Sequence, residues 1–278
     1  MIDASIVQKI AGIHSKQPWF VLHAEHFFTH LKTENPVVSH YYSFQSGHSE
    51  EPTIAVPDGC IDLLFDCDAT TEIAQVCGTT LEARSTKFNE NHRYFGIRFV
   101  PGSIPSFIDT TASEMIDKQC NLIDVVKNAD RLIDRVVNAQ SFTEQVLIVK
   151  EFIGQKAARK SSSLTSQVVA KICQHKGNIQ IQELEKFTGY SARTLQRRFR
   201  ADIGLTPKGF SRAIRCQSAI YDINHSRHHV AFSNLACDLG FTDQSHFLKE
   251  FKKLVSTTPL EYQTRVKQKT YLERISCL

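Results

Sequence analysis

The sequence predicts an α+β protein, with a strand-rich front built as a β-sandwich or barrel and closed by helices, and an all-helical back carrying two copies of one helical unit. Three observations predict it. Between about 36 and 110, short β-branched and aromatic runs are punctuated by Pro and Gly; from 113 the apolar period lengthens to three and four; and a block of the C-terminal half repeats at an offset of 52 residues.

The runs VVSHYYSF, TIAVPDG, CIDLLFD, EIAQVCG and YFGIRFVPG read as strands of one sandwich or barrel. Residues 113 to 158 then place Leu122, Val125, Val126, Leu132, Ile133, Val136 and Val137, followed by Val146, Leu147, Val149, Phe152 and Ile153, at helical spacing, so two or three helices close this part. A polar, serine-rich stretch at 157–166 reads as a linker that ends in a helix cap. The chain therefore divides into 1–158 and 159–278.

Beyond the linker, Leu164, Val168 and Ile172 line one helix face, Ile181 and Leu184 start a short helix that stops at Gly189, and Ser191 caps a third. Phe210, Ala213, Ile214, Ile220 and Ile223 then mark a longer connecting helix.

Composition excludes several classes. With 41% hydrophobic and 22% charged residues the chain is an ordinary globular one, with neither a signal peptide nor an apolar stretch long enough to span a membrane. Eight cysteines without CxxC pairs fit buried reduced thiols and a cytoplasmic location. The overall charge of +4 is uneven. Residues 161–278 hold 18 Lys and Arg against 9 Asp and Glu, a net of +9, whereas residues 1–160 carry a net of −5. The basic half is the one to meet a polyanion.

TLQRRFRADIGLTPKGF (194–210) aligns with HFLKEFKKLVSTTPLEY (246–262), pairing Leu195 with Phe247, Phe199 with Phe251, Pro207 with Pro259 and Phe210 with Tyr262. Upstream, Leu184 and Gly189 match Leu235 and Gly240 at an offset of 51. Each copy has a short helix, a glycine turn, a helix with a polar and cationic face, and a Thr-Pro stop. That is the grammar of a helix-turn-helix, whose second helix offers its N-terminal side chains to the major groove. The units run from about 179 to 201 and from about 231 to 254. The exposed front of the first is Ser191, Arg193, Thr194, Gln196, Arg197 and Arg200; that of the second is Gln244, Ser245, His246 and Lys249. Arg can pair with guanine and Gln with adenine; standing alone, such a front reads as a solvated helix face, and the duplication reverses that balance. Phe199, Phe247 and Phe251 read as core. His246 is open between a local hydrogen bond, a phosphate and a base.

GYSARTLQRRFRADIGLTP and GFTDQSHFLKEFKKLVSTTPLEYQ resemble the C-terminal signature of AraC/XylS-type transcription regulators over about residues 163–265. The resemblance implies two helix-turn-helix motifs joined by one long helix, reading successive major-groove segments about 34 Å apart on double-stranded DNA. It implies base-edge contacts for Arg193, Gln196 and Arg197, and for Gln244, Ser245, His246 and Lys249, with Ser191 and Asp243 at helix starts near phosphates. Three positions depart from the family: Glu185 stands where a small residue is usual, Ser256 where a glycine is usual, and Gln263 where an arginine is usual.

VPDGCIDLLFD and FGIRFVPGSIPSFI resemble the sensor domains of some AraC-type regulators, which implies a small cupin-like barrel that binds an effector or dimerises. Ile61, Leu63 and Phe65 share one strand face and Asp62, Leu64 and Asp66 the other, while Arg98 opposes Phe95, Ile97 and Phe99. Asp62 and Arg98 are the candidate effector anchor if both face inward; an exposed barrel face has the same pattern. No HxH supplies a cupin metal set, and His23, His26 and His30 in HAEHFFTHL read as polar helix positions or as part of a metal site. The expectation is a regulator without catalytic residues, metal or cofactor, with a small-molecule effector, a second copy of the chain and, for an activator, RNA polymerase as candidate partners. The alternative is a redox or alkylation sensor acting through Cys60, Cys67 or Cys77.

Overall fold

A computed structural model describes residues 17–31, 33–48, 52–71, 73–154, 161–226 and 228–278. The boundary expected at 158 lies outside them. The described chain opens with a short helix α1 (Pro18–His23) and continues through β1 (Ala24–His30), β2 (Val38–Ser46), β3 (Thr53–Ala55), β4 (Asp62–Asp66), β5 (Ala74–Cys77), β6 (Arg84–Thr86) and β7 (Arg93–Phe99). After a 3-10 turn (Ala112–Met115) come β8 (Gln119–Asn121), α2 (Leu122–Val125), α3 (Ala129–Val137) and α4 (Phe142–Ile153).

Among the described residues six of these strands and a last strand β9 (Ile275–Cys277) form a seven-stranded sheet in the order β8-β5-β4-β7-β2-β1-β9, and β3 pairs with β6 as a separate ribbon. The ladders are antiparallel except the last, where β9 runs parallel to β1. The predicted alternation holds. Leu63, Phe65, Phe95, Ile97 and Phe99 bury one sheet face against α3 and α4. Phe44, Tyr42 and Tyr94 face the other side and pack with Phe20 from α1.

The expected helix over HAEHFFTHL is instead β1. A register shift between Ala24 and His26 breaks the two-residue period that would have marked a strand. Phe27 stacks on Tyr42 and Phe44 of the neighbouring strand, a non-local gain that outweighs local spacing. His23 meets Thr53, and His30 meets the carbonyl of Leu278, so these histidines serve the sheet and its last strand.

The helical half comprises α5 (Ser163–Gln174), α6 (Ile181–Thr188), α7 (Ala192–Ile203), α8 (Pro207–His225), α9 (Phe232–Asp238), α10 (Gln244–Val255) and α11 (Pro259–Gln268). Leu184, Leu195, Phe199, Phe210 and Ile214 form the core of the first unit. Leu235, Phe247, Phe251 and Tyr262 form the second, together with Ile220 and Ile223 from the far end of α8. One 19-residue helix thus carries both units.

The halves interlock. Trp19, Val21, Leu22 and Val56 complete the core of the second unit, and β9 returns from the helical half to extend the sheet. At the end of α7, Gly204 (φ 86°) lies against the carbonyl of Ala112, which an added Cβ would approach to 2.3 Å. The equivalent residue after α10 is Ser256, exposed yet also left-handed at φ 67°. A non-glycine residue is strained there. Ser256→Gly is accordingly expected to raise stability by about 0.5 to 1 kcal/mol, read as an increase in the urea midpoint; an unchanged or lower midpoint would refute the strain.

Candidate nucleic-acid interface and the neighbouring cavity

The two predicted fronts form as expected at the level of the helices. In the first unit Gly189 turns the chain at φ 74°, and Ser191 caps α7 by accepting from the Thr194 amide at 3.4 Å. In the second, Gly240 turns at φ 71°, and the Asp243 carboxylate accepts from the His246 amide at 2.8 Å. Both caps satisfy amides that the helix itself leaves open.

Leu195 and Phe199 point inward, which leaves Arg193, Gln196, Arg197 and Arg200 exposed along α7, beside the half-buried Thr194. Phe247 and Phe251 do the same for α10, leaving Gln244, Ser245, His246 and Lys249 exposed. The His246 ring also stands edge-on to Phe241 at 5.4 Å.

Two of the three departures, Glu185 and Gln263, have a local explanation, whereas the strained Ser256 has none. Glu185 uses its carboxylate to accept from the Ala192 amide at 2.6 Å, so it bonds the first turn of α7 from the preceding helix. Gln263 is buried, and its Oε1 receives the His229 ring at 2.9 Å. That contact also gives a place to the last histidine of the 225–229 turn; Arg227 lies outside the described residues. Behind the second front, Arg212 of α8 grips Glu250 of α10 through Nε at 2.6 Å and Nη2 at 3.2 Å, and this hydrogen bonding holds the Glu250 carboxyl below its usual range. Sequence reading passed over Arg212, because its partner Glu250 lies 38 residues away and no local pattern joins the two.

In the front half, Arg98 and Asp62 do meet. Arg98 is 2% exposed and reaches Asp62 through Nε at 2.9 Å and Nη2 at 2.5 Å, while Nη1 lies 3.2 Å from Asp58. Burial opposes its charge, yet Asp62 and Asp58 hold the guanidinium charged well beyond its ordinary range. For Asp58, burial dominates and raises the carboxyl, with Arg98 pulling the other way.

These residues back a cavity of about 550 Å³ between the sheet face and the β3–β6 ribbon, reached by Asp58, Asp62, Tyr42 and Phe88 among others. Its size is that of a small-molecule site. Tyr42 lies directly over Gly96, where an added Cβ would come within 2.1 Å of the ring.

The thiols lack the character that the redox alternative needs. Burial pushes Cys67 up to about 11 and Cys77 up to about 12, away from the thiolate. Cys60 is buried. Among the described residues, no three of His, Cys, Asp and Glu converge as a metal set, and no helix is long and apolar enough to cross a membrane.

Two capped helices with basic fronts, set on one long helix, define a helix-turn-helix protein. Residues 184–265 match the family described as helix-turn-helix domain, and residues 35–121 match a domain of unknown function (DUF6597). The C-terminal segment is thus similar to helix-turn-helix domains, in keeping with the AraC/XylS-type resemblance of its sequence. An uncharacterized HTH-type transcriptional regulator of Haemophilus influenzae is 27% identical over 109 residues, covering 39% of this chain and 36% of its own length. Among solved structures, the C-terminal domain of AraT, a response regulator from Geobacillus stearothermophilus, aligns at 18% identity and TM-score 0.36, over 38% of this chain and 88% of that one. ToxT from Vibrio cholerae aligns at 14% identity and TM-score 0.40, over 87% of this chain and 96% of ToxT.

Proposed function

We propose that the protein is a sequence-specific transcription regulator that binds double-stranded DNA through α7 and α10 and answers to a small-molecule effector bound in the front half. The observation that carries the DNA reading is the repeat: two helices, related by 52 residues, each bury their phenylalanines and expose their polar front. Arg193, Gln196 and Arg197 read base edges from the first helix, with Thr194 and Arg200 beside them; Gln244, Ser245, His246 and Lys249 read from the second. Ser191 and Asp243 sit at the helix starts, where backbone amides face phosphates.

The segment from Val56 to Cys60 supports the effector reading. Val56, Asp58 and Cys60 line the cavity. On the opposite side the same segment touches α8: Val56 joins the core of its far half, the Pro57 carbonyl accepts from Gln217 Nε2 at 3.1 Å, and Phe210 covers Gly59. A ligand that moves Asp58 therefore pulls on the helix that spaces the two DNA-reading helices. In this scheme residues 1–158 sense or dimerise and residues 159–278 bind DNA in the cytoplasm. RNA polymerase is the further partner if the output is activation, and no step requires catalysis.

Arg197→Ala is expected to weaken operator binding by about 1 to 3 kcal/mol and to relax preference at one base pair. Fluorescence anisotropy on operator and on scrambled DNA of equal length separates the roles. Equal loss on both would reduce Arg197 to a phosphate contact, and no loss on either would remove α7 from the interface.

A further inference from the structure

The cavity carries a chemical signature of its own. Three carboxylates, Asp58, Asp62 and Asp66, line it, whereas the cations along it, Arg84, Lys87 and Lys118, are exposed at its rim. Arg84 is already engaged, donating to the Asp117 carbonyl.

The three acids differ in spare capacity. Asp66 accepts from Asn89, His92, Tyr94 and the Asp68 amide, which fills its four lone-pair positions. Asp58 takes Gln17, Arg98 and the Cys60 amide. Asp62 takes the fork of Arg98, one bond to each oxygen, which leaves further lone pairs uncommitted on a side chain that lines the cavity.

Tyr42 and Thr80 line the same cavity, and the hydroxyls of both are buried without a hydrogen-bond partner, that of Tyr42 over Gly96. Such orphan groups cost stability unless something fills the site. The rings of Phe20, Phe88 and Tyr94 pack on one another next to these acids, and Tyr42 joins them through Phe44.

We propose that this cavity binds a small organic cation, a primary amine or a guanidine, with its charged end between Asp62 and the Tyr42 hydroxyl and its hydrocarbon against the aromatic wall. The inference rests on the reading of the front half as an effector-binding unit and names the ligand class for it. A cation brings N–H donors to the spare lone pairs of Asp62 and to the phenol oxygen, and its charge gains from the ring faces. An anion would meet carboxylates, and an uncharged hydrocarbon would leave Tyr42 unpaired and strip water from Asp62.

Phenethylamine and agmatine, with 3-phenylpropionate as the anionic control, test this on the full chain without DNA. Each amine at about 10 mM is expected to raise Tm by about 2 to 5 °C, and 3-phenylpropionate is expected to leave it unchanged. Asp62→Asn should weaken amine binding by about tenfold or more in calorimetric titration. Because that variant also disturbs Arg98, Tyr42→Phe is the sharper one: it removes a hydroxyl that has no partner, so the unliganded Tm should hold or rise while amine affinity falls about fivefold to tenfold. No shift with either amine, a larger shift with 3-phenylpropionate, or full amine affinity in Tyr42→Phe would each overturn the proposal. An amine that binds as expected yet leaves operator affinity unaltered keeps the ligand class and removes the effector role.

Discussion

Arg98→Met is expected to cost about 3 to 5 kcal/mol of stability, because it leaves the buried Asp58 and the half-buried Asp62 without their cation. The three guanidinium contacts at 2.5, 2.9 and 3.2 Å use its fork on two different acids, one from β4 and one from the loop before it. Methionine fills much of the volume, so the loss reads charge rather than a void. Urea unfolding at neutral pH measures it, and Arg98→Met combined with Asp62→Asn should recover part of the loss. The pH dependence has a definite sign. With Asp58 raised above its ordinary 3.8 in the folded state, the native protein holds that proton more tightly than the unfolded chain. Its contribution therefore favours folding below that ordinary value and is lost as pH rises through the folded value. Removing Arg98 pushes Asp58 further up, so the penalty should shrink between about pH 7 and pH 4.5. A penalty constant over that range would assign it to packing.

The helical half was legible because its information is local. A cap, a turn glycine, an apolar pair and a Thr-Pro stop lie within about 20 residues of one another, and two copies in register exclude coincidence. Core and front were separable for the same reason: Phe199 and Phe251 follow from helical period alone. The strand runs from Val38 to Phe99 were legible by alternation, and so was the facing of Asp62 and Arg98 away from the core. Whether those two met in a buried site or faced water was not. That depends on the β3–β6 ribbon and α1 lying over the sheet, contacts between residues tens of positions apart.

β1 shows the limit most plainly. Its bulge hides the two-residue period while His23, His26 and His30 imitate a helix, so only pairing with β2 decides its form. Glu185 is a second case. The family resemblance marked it as a departure where a small residue is usual, and the structure makes it an acceptor seven residues from its donor. The pairing of β9 with β1 crosses nearly the whole chain, and no local pattern announces it.

The same long reach makes Trp19→Ala the second large effect. Trp19 is 3% exposed; its indole donates to the Val255 carbonyl at 3.1 Å, and its ring meets Tyr262 edge-on at 5.8 Å. Val255 ends α10, so this indole satisfies a carbonyl that the helix leaves open at its C-terminus. Nearby, Lys253 pairs with Glu82 at 2.7 Å and its carbonyl accepts from the Ala83 amide, so the end of α10 is held from the front half at two points. Truncation to alanine removes a large buried ring and is expected to cost about 3 to 5 kcal/mol. Trp19→Phe should fall between, since it keeps ring burial and loses the donor. Hydrogen exchange gives the loss a location: protection should drop across α9 to α11 and hold across α7, whose core contains no residue of α1. Uniform loss in both units would mean that α8 transmits the defect as one rigid body, and an unchanged Tm would mean that α1 does not dock on the second unit in solution. Loss confined to the second unit is the outcome expected if α7 and α10 are each stabilised by their own contact with the front half.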